Sequence, residues 1–344
     1  MQIRKTFIRM FGAPASIIPL SPLISITGQR LIIPVYHVIS NAYLPHIRNL
    51  YDYKNCEAFE SDLDFLLKHC KPVDVQSVIA HVNKSKELKG NAFLLTFDDG
   101  LREFHDVIAP ILLRKGIPAV CFCNTDFIDN RDLFYRYKAS LLIDKFSTNK
   151  NLLQQPEIKT WFQSNLNADV THYKSALLAI QYSQKSLLDN LASAIDLDLN
   201  TFLKNQQPYL TTEQISNLQS KGFVFGAHSK DHPEYRFIPI EEQVEQTATS
   251  LDLMQKKYNA TKSLFAFPFT DYGVSKLFFD KIAAMENSPV LTFGCAGLKQ
   301  DCIATNLQRI PLEIANKSAE EILITEYIYY IAKSCINKNR ITRH

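Results

Sequence analysis

The sequence carries little net charge. Its 38 Lys and Arg against 35 Asp and Glu leave +3 on 344 residues, without the basic surplus that marks a nucleic-acid surface, so no nucleic-acid partner is expected. It also lacks any CxxC pair. Seven cysteines, at 56, 70, 121, 123, 295, 302 and 335, are odd in number and lie mostly in apolar runs, which reads as reduced, buried thiols in a reducing compartment. In Cys121-Phe122-Cys123, strand alternation points the two thiols apart, a poor arrangement for bonding each other. A clean membrane span is missing as well. The apolar stretch from Met10 to Thr27 follows Arg4, Lys5 and Arg9 but is interrupted by Pro14, Pro19 and Pro22, which break helix there and leave it unable to cross a bilayer. The expectation is a cytoplasmic chain whose segment 1–29 packs on the domain or touches the inner face of a membrane, with a secreted or inner-membrane-anchored form as the alternative. What is abundant is apolar content, 46%, enough for a large core in one or two domains.

One short stretch organises the rest. Ala92 to Phe97 reads as a buried strand and ends in Asp98-Asp99-Gly100. Two adjacent carboxylates repel unless a cation bound by one leaves the other as a base; taken alone, Asp-Gly also suits an ordinary turn. Far downstream, Phe223 to Phe225 reads as another short strand, followed by His228 and His232. Their His-x-x-x-His spacing lets both imidazoles reach one ion. Both pairs fall just past the C-terminal end of an expected strand, where barrels and open α/β folds place their sites.

At these residues the chain resembles the polysaccharide deacetylases (the NodB-homology domain, carbohydrate esterase family four). Thr96-Phe97-Asp98-Asp99-Gly100 and His228-Ser229-x-x-His232 look like that family's first two motifs, in its order. The resemblance covers 30–130 and 205–315. It implies an α/β fold, a distorted TIM-like (β/α) barrel. It also implies a divalent metal, most often zinc, held by Asp99, His228 and His232, with Asp98 as catalytic base. The implied activity is metal-dependent hydrolysis of N-acetyl groups on a carbohydrate, in a surface polysaccharide or its precursor, by metal-activated water. A non-catalytic glycan-binding or scaffold protein that keeps the metal site, and an O-acetyl esterase, are the alternatives.

Leu31 to His37 is the expected first barrel strand, with His37 at its end near the mouth; His46, in the following loop, is a weaker candidate. A helix is expected over 59–69, an edge strand at 72–75, a helix over 103–115 and a strand over 117–123. Residues 131–204, almost free of glycine, show helical periodicity at 137–146, 157–166 and 174–194 and form a helical insertion at or near the mouth. Trp161, the only tryptophan, lies there and is expected to pack between helices, with stacking on carbohydrate as the alternative. Thr211 to Gln214 resembles a helix cap.

The third motif of the family, Arg-x-Pro-Tyr, falls at Ala266-Phe267-Pro268-Phe269, with alanine in place of arginine. Pro268, Phe269, Asp271 and Tyr272 are the expected substrate and oxyanion residues, the Phe269 N–H being the oxyanion donor. The last motif, Leu-x-His, has no counterpart, since no histidine lies between His232 and His344. Arg309 falls near its place. Arginine is no general acid at neutral pH, so Arg309 is expected to hold Asp98 or an anionic group, and the proton to come from His37, the best placed donor, from a metal-bound water or from protonated Asp98. Residues 316–344 comprise an apolar, tyrosine-bearing helix over 320–333 and a basic tail, expected to pack on the barrel, with contact to an anionic membrane face as the secondary reading.

Overall fold

The computed structural model of the protein describes residues 6–8, 18–314 and 316–344. The chain divides into two compact units, one of Met1–Asn41, Tyr53–Ile128 and Tyr209–His344, the other of Ala42–Asp52 and Asp129–Pro208.

The first unit is built on an eight-stranded parallel sheet: β1 (Pro34–Tyr36), β2 (Leu95–Phe97), β3 (Ala119–Cys123), β4 (Val224–Ala227), β5 (Leu264–Ala266), β6 (Leu291–Gly294), β7 (Asn306–Gln308) and β8 (Ile310–Pro311). The spatial order is β7-β6-β5-β4-β3-β2-β1-β8, so the strands follow one another round a near-closed (β/α) barrel. One residue, Arg309, separates β7, which pairs with β6, from β8, which pairs with β1. Strands β1, β2 and β3 are buried along their whole length, the pattern of a parallel sheet covered on both faces. Ile33, Leu94, Val120, Phe122, Leu264, Ala266, Leu291 and Phe293 form one buried cluster with Val75 and Val78, which come from the helix Val75–Val82.

Capping chemistry fixes the surrounding helices. Asn55 accepts from the Ala58 N–H at 2.8 Å to start Cys56–His69. Thr211 and Gln214 exchange bonds at 3.2 and 3.0 Å as a capping box for Thr212–Ser220. Several details here differ from the sequence reading. Pro19 and Pro22 do not break a helix: Leu20–Thr27 is helical, with Pro19 as its N-cap and Pro22 in the first turn, where an N–H would have no intrahelical partner. Pro14 lies outside the described residues. Phe104–Ile108 is a π-helix before the α-helix Ala109–Lys115, and the wider turn comes immediately before Pro110, which cannot donate into a regular ladder. The thiols are less buried than their apolar surroundings suggest: all seven are free, Cys70, Cys121 and Cys123 are buried, and Cys302 and Cys335 are exposed.

The C-terminal segment is tied down. Helix Ala319–Ser334 buries Tyr327 and Tyr330, so these tyrosines are not presented outward. Arg340–Ile341 pairs with Gln300–Asp301. Arg343 is held by the Asp271 and Asp301 carboxylates and donates to the Asp271 and Val274 carbonyls at 3.0 Å. Among the described residues no helix is long and apolar enough to cross a membrane.

The second unit is helical. Tyr135–Thr148, Pro156–Leu166, Tyr173–Ala179, Ser186–Ala194 and Leu199–Gln206 make up most of it. The single helix expected over 174–194 is broken after Ala179, where Gln181 and Gln184 close a capping box of their own. Trp161 meets Phe162 edge to face with ring centroids 5.4 Å apart. His46 is buried beside Tyr137 and Phe202.

Candidate metal centre and active site

The residues of the site follow the C-terminal ends of barrel strands, most of them directly and His232 five residues on. His37 follows β1, Asp98 and Asp99 follow β2, Asn124 follows β3, His228 follows β4, Pro268 and Phe269 follow β5, and Arg309 follows β7. Parallel strands therefore deliver them all to one rim. The ladder continues into the site: the Asp98 N–H donates to the Tyr36 carbonyl at 3.0 Å and that of His228 to Cys123 at 2.9 Å. Gly100 permits the turn after the carboxylates. Its φ is 62°, and a Cβ there would lie 2.8 Å from Cys123 Sγ.

Asp99, His228 and His232 offer ligand atoms within 4.8 Å of one another, all from buried residues, the one such set among the described residues. His232 Nε2 is 3.3 Å and His228 Nε2 3.6 Å from Asp99 Oδ1. The Nδ1 of His228 is engaged by the Ala266 carbonyl at 2.8 Å, which leaves Nε2 as the lone-pair side facing Asp99. Burial lowers the His228 pKa to about 4, against the attraction of Asp98 and Asp99, so its imidazole is neutral and able to ligate. Burial alone would raise the Asp99 pKa, but the hydrogen bond and charge of His232 hold it well below the usual carboxylate range. One carboxylate and two imidazoles in a dry pocket fit a divalent cation, and their donor chemistry leaves coordination positions open.

Asp98 is placed differently. Arg309, fully buried, grips it in a bidentate pair at 2.6 and 2.7 Å. Burial opposes ionisation of Asp98, yet the charge and hydrogen bonds of Arg309, together with the charges of His228 and His37, lower its pKa and keep the carboxyl ionised. The guanidinium lies 5.5 Å from the Phe122 ring centre, in the cluster that contains Ala266. The alanine in the third motif thus coincides with an arginine supplied from the β7–β8 seam. Arg309 Nε and N–H also bond the Gly294 carbonyl, at 3.2 and 3.1 Å.

His37 lies on the same rim, close enough that its charge lowers both aspartates. Its Nδ1 is 2.6 Å from Glu313 Oε2, and Glu313 Oε1 accepts from the N–H groups of His37 and Val38 at 2.9 Å each. Burial would lower the His37 pKa, but the charge and hydrogen bond of Glu313, with the charges of Asp99 and Asp98, push it up to about 9. Glu313 escaped the sequence reading. Its one signal was an acid in the apolar run Ile310 to Ile314, just past the last strand.

The loops are built under strain. Asp99, Ser229, His232 and Phe269 have φ of 71°, 66°, 65° and 56°, each costing about 1–3 kcal/mol for a non-glycine residue. Ser229 Oγ accepts from the His232 N–H at 3.0 Å, and the buried Asn124, which the sequence reading also missed, donates its amide to the His228 carbonyl. Phe269 sets its ring against His232, centroids 4.6 Å apart. Asp271 is not at the rim surface: its carboxylate is buried and taken up by Arg343, Asn306 and Gln308. Tyr272 is 73% exposed.

A near-closed parallel barrel with these residues at its strand ends has the architecture of enzymes that remove acetyl groups from carbohydrate. The sequence matches the polysaccharide deacetylase family profile over residues 85–282, more than half of its length, and the chain belongs to that family. Among solved structures it is similar to the Streptococcus pyogenes deacetylase PplD in complex with acetate (16% identity, 86% of this chain and 97% of that one, TM-score 0.55). It is similar also to IcaB from Ammonifex degensii (15%, 86% and 97%, 0.54) and to a de-N-acetylase from Aggregatibacter actinomycetemcomitans (14%, 84% and 97%, 0.50). At these identities the likeness is one of fold. No curated protein is matched by the sequence.

Proposed function

We propose that the protein is a metal-dependent N-deacetylase of an acetylated glycan, either a surface polysaccharide or a lipid- or nucleotide-linked precursor. The observation that carries this reading is the division of labour on one rim: Asp99 with two histidines, Asp98 with Arg309, and His37 with Glu313. Asp99, His228 and His232 would hold the ion, zinc by their donor set. When bound, the ion supplies Lewis-acid polarisation of the acetyl carbonyl and of water. Asp98, held ionised and oriented by Arg309, takes the proton of the attacking water. The Phe269 N–H, in the loop that packs on His232, donates to the oxyanion. His37 carries protons on both ring nitrogens at neutral pH, one shared with Glu313 and the other, on Nε2, given to the departing amine.

The direct test is metal content together with acetate release from a panel of acetylated glycans. His228→Ala and His232→Ala should each abolish stoichiometric zinc and acetate release. Undiminished zinc in the double variant would remove these residues from the centre, and a wild type that binds zinc and glycan but releases no acetate would make it a glycan-binding protein.

The acid is tested separately. His37→Ala should lower turnover of N-acetyl substrates by about 10²-fold or more, keep its metal, and affect O-acetyl substrates much less, because an alkoxide leaves with less proton assistance. The active form is protonated His37, so rate is lost as pH rises through its pKa. Glu313→Gln removes the cause that raises that pKa, and the alkaline limb of kcat should move down towards the ordinary histidine range, near 6.5. An unmoved limb would show that His37 is not the group titrating there.

A further inference from the structure

Among the described residues only three aromatic side chains are strongly exposed, and Tyr43 belongs to the second unit. The other two, Phe237 at 60% and Tyr272 at 73%, stand on neighbouring loops after the adjacent strands β4 and β5. Single exposed apolar residues need no explanation, but these two are joined. The Arg236 guanidinium lies 4.4 Å from the Phe237 ring centre and 5.8 Å from that of Tyr272, and its Nε is fixed by Glu234 at 2.6 Å.

Both loops are held from behind. Tyr235 is buried and bonds Thr247 at 2.8 Å, and Ile238 is buried on the other side, so Phe237 is turned outward between two anchors. The second loop is gripped by Arg343 through the Asp271 and Val274 carbonyls. Gly273, at φ 83°, lets that loop approach Arg236, because a Cβ there would lie 3.1 Å from Arg236 Cβ. The result is a surface of two rings and a guanidinium carried on loops anchored from behind, so that less ordering is left to be done on binding.

Its position selects its occupant. Phe237 is five residues beyond His232, and Tyr272 three beyond Phe269, so at about 3.6 Å per residue neither Cα is more than about 18 Å from those residues. We propose that Phe237, Arg236 and Tyr272 form a stacking subsite for a sugar ring of the glycan chain, one or a few units from the ring that loses its acetyl group. A pyranose offers a flat C–H face to an aromatic ring and hydroxyls at its edge, and the guanidinium supplies donors for those hydroxyls. The inference rests on reading the rim as a glycan deacetylase and adds that the substrate is an oligomer or polymer.

The test uses the full chain loaded with zinc, with N-acetylglucosamine and its linear β-1,4 and β-1,6 oligomers of two to six units as probes. Two readouts are taken: acetate release, and binding without turnover in the Asp98→Asn background by saturation-transfer NMR. Phe237→Ala with Tyr272→Ala should raise KM for the longer oligomers at least five-fold more than for the monosaccharide and erase the ring contacts in the spectra. Tyr272→Phe, which keeps the ring, should restore most of the loss. Equal losses at every length, or oligomer binding indifferent to both rings, would overturn the subsite. If wild type releases no acetate while oligomer binding still depends on Phe237 and Tyr272, the deacetylase reading falls and the subsite stands.

Discussion

Asp98→Asn should retain a full complement of metal and lose on the order of 10²–10⁴ in turnover, the usual cost of removing a general base. The substitution keeps the shape of the side chain and leaves Asp99, His228 and His232 untouched. What it removes is the carboxylate that Arg309 holds at 2.6 and 2.7 Å. An amide accepts one of those two bonds and turns donor hydrogens towards the other, so some loss of stability is expected alongside the loss of rate. Metal analysis of the purified variant, beside Asp99→Asn, separates the roles. If Asp98→Asn sheds its metal as readily as Asp99→Asn does, Asp98 is a ligand and the assignment of base and ligand is reversed.

Arg309→Ala should be the most damaging single change. It strands a buried carboxylate and empties a buried site, and breaking such a pair typically costs about 3–5 kcal/mol. At roughly 2–4 °C per kcal/mol for a unit of this size, thermal unfolding should fall by about 6–20 °C. Arg309→Lys keeps the charge but not the two parallel bonds, so it should fold better and still slow N- and O-acetyl substrates alike, because both depend on Asp98. Retention of full turnover in Arg309→Lys with altered stability would confine Arg309 to a structural role.

The parts of the site that could be read from sequence were those written in consecutive residues. An apolar strand running into Asp98-Asp99-Gly100, and a second ending at His228, announce themselves by local pattern, and the Thr211 cap does so by a three-residue spacing. What escaped were pairings across the chain. Glu313 reaches His37 across 276 residues, and no periodicity marks a lone acid as its partner. Asp271 looked like a rim residue because it follows the third motif, but Arg343 claims it across 72 residues. The run 174–194 has helical periodicity throughout, and the break after Ala179 depends on side chains such as Gln181 bonding the backbone locally. Pro22 misled for a related reason: its effect depends on where the helix starts, which the apolar stretch does not mark.

The seam at Arg309 has a consequence for biosynthesis. The residue that links β7, paired with β6, to β8, paired with β1, is also the one that holds Asp98, so closing the ring and fixing that carboxylate go together. A nascent chain that has formed its first six strands already contains Asp98, Asp99 and both histidines, yet its base lacks its holder until the last strand docks. On the proposed reading of Asp98, hydrolysis would therefore await completion of the ring.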